Sequence, residues 1–418
     1  FRIMKVVPPA TTATPVTFNT VSGTNPLSGF TGAPSFLVAY AMPQGGIANP
    51  ADFNNLGNGV LGAQPVSVSI ARMCDTSISA SGTVGTQGSM TGPDASGYYT
   101  ATLNGPSTPI LASFYGPAPA VTATATVVGN VVATAKAPAG MQALPAMPAN
   151  PARFPVGAKL RTVALQGYFT QVSPALARHA VMVTKAVGET SATVRGEARR
   201  LVADSAKCAQ CHEYFEGHGG NRNYNMDGCA LCHNPNLSSS GTIINDPTTP
   251  EATQNLKDMV HAIHAGVNTN GIRTNAYKHT RSKSGSNTVY DWSHVVYPNL
   301  LKNCESCHKP STYLSVPAGA LATVDVTPTN GVSVFDARTK LPNLTDIVKS
   351  PYSAACVSCH DGDMIKAHMR YNGGQLSVLR SALIYPSGET CAICHGAGQD
   401  ADVTVKHGIT TTGSSGGH

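Results

Sequence analysis

Ten of the chain's eleven cysteines fall in five copies of Cys-x-x-Cys-His. The copies are Cys208, Cys211 and His212; Cys229, Cys232 and His233; Cys304, Cys307 and His308; Cys356, Cys359 and His360; and Cys391, Cys394 and His395. Two thiols three positions apart lie on one helical face, where each can form a thioether to a haem vinyl group. The histidine that follows rises from the same turn to ligate the iron. The spacing predicts five covalently attached haem c groups, each with its motif histidine as proximal ligand. A disulfide framework needs no histidine after every second cysteine, and a zinc ribbon pairs two knuckles per metal, which leaves one of five unpartnered. Redox-active Cys-x-x-Cys occurs once per thioredoxin-like unit, not five times.

The elements that must position these residues differ between the two halves. Residues 1–200 contain Cys74 as their single cysteine, and thirteen of the fourteen histidines lie beyond residue 200. We expect two domains, a β-rich unit over 1–200 and a pentahaem unit over 201–418. In the first, residues 66–70 alternate apolar and polar side chains, 121–128 interleave Thr with Val and Ala, and 98–103 and 161–169 are rich in β-formers. Turns are expected at 43–46 and 92–94. The fold class is thus an all-β sandwich or split barrel, with the proline-rich stretch 137–155 as a crossover or as a linker between two β units. Cys74, after the strand, is expected as a small buried hydrophobe or an intersubunit disulfide partner.

The haem half should have little regular secondary structure and short helices, because macrocycles supply much of its apolar interior. The clearest helix is 250–265, capped by Thr249, with Pro250 at its first position and Gly266 as its stop. A shorter one over 363–370 ends at Gly373-Gly374, opened by the Asp361–Asp363 segment.

Five irons need five sixth ligands. Beyond the motif histidines, His179, His218, His261, His264, His279, His294, His368, His407 and His418 are available, and Met226, Met259, Met364 and Met369 are alternatives. A thioether raises the potential, and a chain this rich in spare histidine favours bis-histidine iron. His261 and His264 sit three apart on one helix, so as ligands they serve two different haems and the helix becomes a strut between them.

Residues 200–418 resemble a pentahaem half of the OmcA/MtrC family of outer-membrane multihaem cytochromes. The resemblance rests on Lys-Cys-Ala-Gln-Cys-His at 207–212 with His-Gly-Gly-Asn-Arg at 218–222, Cys-Ala-Leu-Cys-His-Asn-Pro at 229–235, and Met-Val-His-Ala-Ile-His-Ala-Gly at 259–266. It continues through Val-Tyr-Pro at 296–298, Cys-Val-Ser-Cys-His-Asp at 356–361 with Ala-His-Met at 367–369, and Cys-Ala-Ile-Cys-His-Gly at 391–396 with Asp-Val-Thr-Val-Lys-His at 402–407. Gly-Tyr-Tyr-Thr at 97–100 and Leu-Gln-Gly-Tyr-Phe at 165–169 resemble the family's amino-terminal β domain. Carried over residue by residue, the resemblance implies His218, His261, His264, His368 and His407 as distal ligands, with His279, His294 and His418 as spares. Typical members carry two β and two pentahaem domains, so this chain corresponds to half of one. Phe1 stands where the family usually has a lipid-bearing cysteine.

Covalent haem attachment implies an exported protein with its signal peptide removed before Phe1, extracellular or at the cell surface, with the periplasm as alternative. No run of about 20 apolar residues occurs, so no membrane-spanning helix is expected. Ten ionised propionates and five ferric centres bring the formal +6 to about +1, and reduction to about −4, so nucleic-acid binding has no support. We expect an electron conduit rather than an enzyme. The competing functions are a multihaem reductase with one open haem, a monomeric shuttle, and haem storage. A nitrite-reductase-type site typically has lysine in place of one motif histidine, and no Cys-x-x-Cys-Lys occurs. The expected partners are copies of the chain stacked head to tail into a filament, with the Gly/Ser-rich tail 410–418 or a β segment clasping the next copy, and other cytochromes or extracellular acceptors.

Overall fold

The structure, a computed structural model, describes residues 1–7, 9–19, 26–56, 63–74, 88–103, 113–115, 141–143, 154, 157–187, 198–213, 215–239, 250–267, 273–283, 286–328, 342–384 and 388–408. The expected strand 121–128, most of 137–155, Thr249 and the tail with His418 lie outside them, as do the side chains of Cys74 and His179.

The first half is built of small antiparallel sheets. Its largest has the strand order Val183–Ala186, Lys159–Gln166, Ser35–Ala41, Val66–Ser69. Ser35–Ala41 lies at its centre and buries both faces. Leu37, Ala39 and Ala41 pack with Leu160, Ala164, Met182 and Leu231, while Phe36 joins Val16, Phe18, Val68, Ile70, Tyr99 and Phe169. A second sheet orders Leu176–His179, Tyr168–Gln171 and Phe30–Thr31. The single strand expected over 161–169 is therefore two, and the break is Gly167. Its φ of +110 suits glycine alone, and a Cβ there would meet Pro34 Cα at 3.0 Å. After Ser69 the chain turns into α1 (Ile70–Cys74), so Cys74 ends a short helix rather than following directly on the strand.

Both expected turns are present. Gln44 and Ile47 form a bridge around Gly45 and Gly46, whose φ values are +58 and +79. Asp94 Oδ1 accepts from the backbone N–H groups of Ser96 (2.8 Å) and Tyr98 (2.9 Å), closing the link between Gly88–Thr91 and Thr100–Leu103.

In the second half the helices are one to three turns long: α2 (Ser205–His212), α3 (Met226–Cys232), α4 (Leu256–Ala265), α5 (Pro351–Val357), α6 (Asp363–Tyr371), α7 (Cys391–His395) and α8 (Val403–His407). Helix α4 begins six residues later than expected. The backbone of residues 252–256 instead pairs with the segment after the second motif, through the Ser238–Thr253 bridge and bonds from Gln254 N to Leu237 O (2.9 Å) and Leu256 N to His233 O (3.0 Å). Asn255 caps it by position without a side-chain bond, and Gly266 ends it as expected. Helix α6 ends where Gly374 N donates to Met369 O at 2.8 Å, beside the expected Gly373-Gly374. A sheet of Thr323–Val326, Ile347–Lys349 and Val378–Leu379 backs α4 and α5.

Polar bonds gather where the halves meet. Arg199 and Arg200, at the end of the first half, contact Asp52 at 2.9 and 3.1 Å. Burial alone would raise the Asp52 carboxyl, but Arg199, Arg200 and Lys257 outweigh it and hold it below the usual range. Ala51 N donates to Gly319 O at 2.7 Å, and this approach is possible because residue 319 lacks a Cβ, which would lie 2.2 Å from Asn49 O. Gly319→Ala should destabilise by about 1–3 kcal/mol, since backbone must move. Gly388→Ala, where a Cβ meets open space, should stay within about 0.5 kcal/mol. Thermal unfolding of the two variants checks the difference.

Candidate functional site

Each Cys-x-x-Cys-His is presented by about one helical turn. In α2, the Asp204 carboxylate accepts from Ala206 N (3.0 Å) and starts the turn that carries Cys208, Cys211 and His212. In α3, Asn225 Oδ1 accepts from Asp227 N (3.0 Å) and Gly228 N (3.1 Å) ahead of Cys229 and Cys232. The third motif is a 3-10 turn, Cys304–Ser306. Backbone bonds from His233 to Cys229 O (2.9 Å), His308 to Cys304 O (2.9 Å) and His360 to Cys356 O (2.8 Å) fix the histidine above the first thiol. All ten motif thiols are free of disulfides. Burial pushes Cys208 up to about 11 and Cys229 up to about 12, so they are neutral thiols within a largely apolar surrounding.

Every motif histidine faces one other histidine. The ring centroids are 6.0 Å apart for His212 and His264, 5.9 Å for His233 and His218, 5.8 Å for His308 and His261, 6.1 Å for His360 and His407, and 6.1 Å for His395 and His368. Two imidazoles on opposite sides of one metal ion, at metal–nitrogen distances of roughly 2.0–2.1 Å, have centroids about 6 Å apart. The second member of each pair is one of the five histidines implied by the resemblance.

In five of the ten paired histidines Nδ1 meets an oxygen of the chain. Nδ1 of His233 lies 2.8 Å from Gln254 O, that of His264 2.8 Å from Val260 O, that of His407 2.8 Å from Val403 O, and that of His395 3.0 Å from Ala401 O. His261 Nδ1 lies 3.3 Å from Ser358 Oγ. An Nδ1 proton given to a carbonyl leaves the Nε2 lone pair as the ligating atom. Burial first, then neighbouring cations, pushes His218 down to about 4, and burial with His308 nearby does the same for His261. These imidazoles are neutral, the form that binds metal. His218 adopts φ +57 between the short strands Glu216–Gly217 and Arg222–Asn223, a backbone conformation unusual for a side-chain-bearing residue.

Among the described residues no three His, Cys, Asp or Glu side chains converge to hold a bare metal ion. Each pair thus brings two imidazoles together, fewer than the four ligands of a zinc site, and this donor set fits an iron whose other positions a macrocycle would fill.

The remaining histidines stand apart. His279 is buried and stacks on Tyr290 at 5.1 Å, and His294 is exposed in the turn beyond that hairpin. Met369 packs with Val357 and Leu376, and Met364 is 88% exposed.

Several residues that shape the site carry no sequence signal. Asn55 Nδ2 donates to Leu231 O (2.9 Å) and Gln64 Nε2 to Cys232 O (3.0 Å), so loops of the first half hold the end of α3. The segment 361–363 opens α6 as expected, with Gly362 at the cap and Asp363 as first residue, while the Asp361 side chain turns elsewhere. Its carboxylate accepts from the N–H groups of Thr274 (2.6 Å) and Asn275 (3.1 Å) and pairs with Arg273 (3.3 Å). On α4, one turn before His261, buried Asp258 meets Lys349 Nζ at 3.1 Å, and the same ammonium meets Asp325 at 2.7 Å.

A family model described as outer membrane cytochrome MtrC/MtrF-like, domains II/IV, matches residues 200–408. Among solved structures, the crystal structure of the outer membrane decahaem cytochrome OmcA is similar at 16% identity with a TM-score of 0.37, over 91% of this chain and 44% of that one. The chain thus spans less than half the length of that protein. No curated protein matches.

The Lys349 cluster yields a direct test. Lys349→Met leaves Asp258 and Asp325 facing each other without their cation, and should cost about 3–5 kcal/mol. Asp258→Asn combined with Lys349→Met should cost clearly less than the sum of the single changes in a double-mutant cycle.

Proposed function

The chain belongs to the MtrC/MtrF-like outer membrane cytochromes, and from that premise we propose that it carries five haem c groups and conducts electrons through them at the cell surface. The observation that carries this reading is the set of five histidine pairs with centroids 5.8–6.1 Å apart, each beside two free thiols. Cys208, Cys211, Cys229, Cys232, Cys304, Cys307, Cys356, Cys359, Cys391 and Cys394 tether the macrocycles. His212, His233, His308, His360 and His395 are the proximal ligands, and His264, His218, His261, His407 and His368 are their respective distal partners. Bound haem iron supplies a one-electron couple. Filling both axial positions keeps substrate off the metal, which favours a conduit over a reductase.

Short contacts between the motif segments also support an order. Met226 N donates to Ser205 Oγ (3.0 Å) between the second and first motifs, and Lys207 Nζ donates to Glu305 O (2.8 Å) and His308 O (2.7 Å) between the first and third. Ser358 Oγ of the fourth lies 3.3 Å from Nδ1 of His261, which faces the third motif's His308, and Glu389 beside the fifth accepts from Ser353 N (2.7 Å) on the helix of the fourth. Neighbouring motifs therefore run second, first, third, fourth, fifth. Helix α4 bridges the middle of this series, since His264 faces the first motif's His212 and His261 faces the third motif's His308.

The same reading divides the chain into a β domain over 1–200 and a haem domain over 201–418. A sandwich is supported in the former by the shared core of Phe36 and Val68 from one sheet with Phe169 from the other. No helix of the described residues is long and apolar enough to cross a membrane. Other cytochromes and extracellular acceptors are the partners. Copies stack head to tail, because the two ends of the series are different surfaces and a heterologous contact continues into a filament when its rotation does not close. Electron microscopy showing only dispersed monomers at high concentration overturns the stacking.

The haem reading predicts five porphyrins per chain in a pyridine haemochrome assay and a purely low-spin ferric spectrum by electron paramagnetic resonance. His218→Ala should keep all five haems and convert one of them to a high-spin, carbon-monoxide-binding form. Fewer than five haems, or a high-spin signal in the unaltered protein, overturns it.

A further inference from the structure

The two ends of the series sit in opposite fixed fields. At the second motif, Arg222 lies on the hairpin that carries His218, paired in register with Gly217, the residue before it. The His218 ring in turn faces His233 of the second motif. At the other end, Glu389 is locked between the fourth and fifth motifs. Its Oε1 accepts from Ser350 Oγ, Ser353 N and Ser353 Oγ, each at 2.7 Å, and its Oε2 from Tyr352 N at 3.0 Å. All four donors belong to the start of α5, the helix that bears Cys356, and Glu389 itself stands two residues before Cys391. It thus stands between the fourth and fifth motifs, while the cation beside the fourth, Arg273, is already paired with Asp361. In the middle, the Asp258 carboxylate beside His261 is opposed by Lys349.

Resting on the five-haem reading, we infer that the chain is electrically polarised. Arg222 makes the second-motif haem the high-potential end, Glu389 makes the fourth- and fifth-motif haems the low-potential end, and electrons run from the fifth motif toward the second. A nearby cation disfavours the ferric centre, which carries one more positive charge than the ferrous, and so raises the potential. A nearby anion lowers it. Glu389 is held by four donors, so its charge stays in place, and the backbone of Arg222 is fixed beside His218 by its strand pairing.

A potentiometric titration of the full holoprotein, resolved haem by haem, tests the polarity. The couple that turns high-spin in His218→Ala marks the second-motif haem, and it should be the first to be reduced in the unaltered protein. Arg222→Gln should lower that couple by about tenfold in its ferrous-to-ferric ratio, or 59 mV for one electron, with Arg222→Lys retaining most of the potential. Glu389→Gln should raise the two couples at the fourth and fifth motifs by a similar factor, and Glu389→Asp should leave them nearly in place. With five haems counted, reduction beginning elsewhere than at the second motif, or an Arg222→Gln couple that stays fixed or rises, overturns the polarity alone. A count below five overturns the haem reading on which it rests.

Discussion

An imidazole held by a carbonyl at Nδ1 has a single lone pair left, and its direction is set by whatever backbone supplies the carbonyl. That constraint runs through the second half of the molecule. His264 and His407 each use the carbonyl four residues back in their own helix. His233 and His395 use Gln254 and Ala401, so the loop that follows a motif returns to orient its histidine. Helices of five to ten residues suffice because each must aim one or two side chains and enclose no core of its own. Burial disfavours the charged form of an imidazole, and it pushes His218 and His261 down to about 4.

Rigidity between these short pieces comes from side-chain amides rather than from apolar packing. The apolar clusters of the second half contain three buried residues apiece. A polar chain runs instead from Asn54 through Gln44 and Asn236 to Arg380 and Asp346, with Gln44 and Asn236 exchanging bonds of 2.9 and 3.0 Å. It crosses from the β half to the sheet behind α4. In a low-dielectric interior a network of this kind specifies one arrangement, because each broken bond leaves a buried polar atom uncompensated. The β half is thus part of the frame that holds the second motif, through Asn55 and Gln64 on the carbonyls of Leu231 and Cys232.

What the sequence discloses follows from how local the signal is. The motifs are local, and so are the turns at 43–46 and 92–94, where glycine and aspartate carry the geometry. The distal histidines followed from the resemblance, and the structure sets those five beside the motif histidines. The strand Ser35–Ala41 escaped a search for alternation because it is buried on both faces and reads as a continuous apolar run. The start of α4 was misplaced because Pro250 and Glu251 look like a first turn, while the chain there is claimed by residues 237–239 through tertiary bonds. Asp258, Lys349, Glu389 and Arg222 were invisible for the same reason: a charged residue announces neither its burial nor its partner.

Helix α4 shows how these levels combine. Its three-residue spacing between His261 and His264 sets the separation of two histidine pairs by backbone geometry, which no side-chain rearrangement can stretch. The Lys349 ammonium pins the same helix to the sheet strand Ile347–Lys349 through Asp258, and Asn255 binds Thr323 on the neighbouring strand at 2.9 Å. The helix can therefore neither roll nor slide without exposing a buried ion pair. On the proposed reading, the spacing of the first- and third-motif haems is as fixed as a helical turn. The remaining freedom for tuning lies in charge, placed by Arg222 at one end and Glu389 at the other, where substitution alters the field and leaves the spacing untouched.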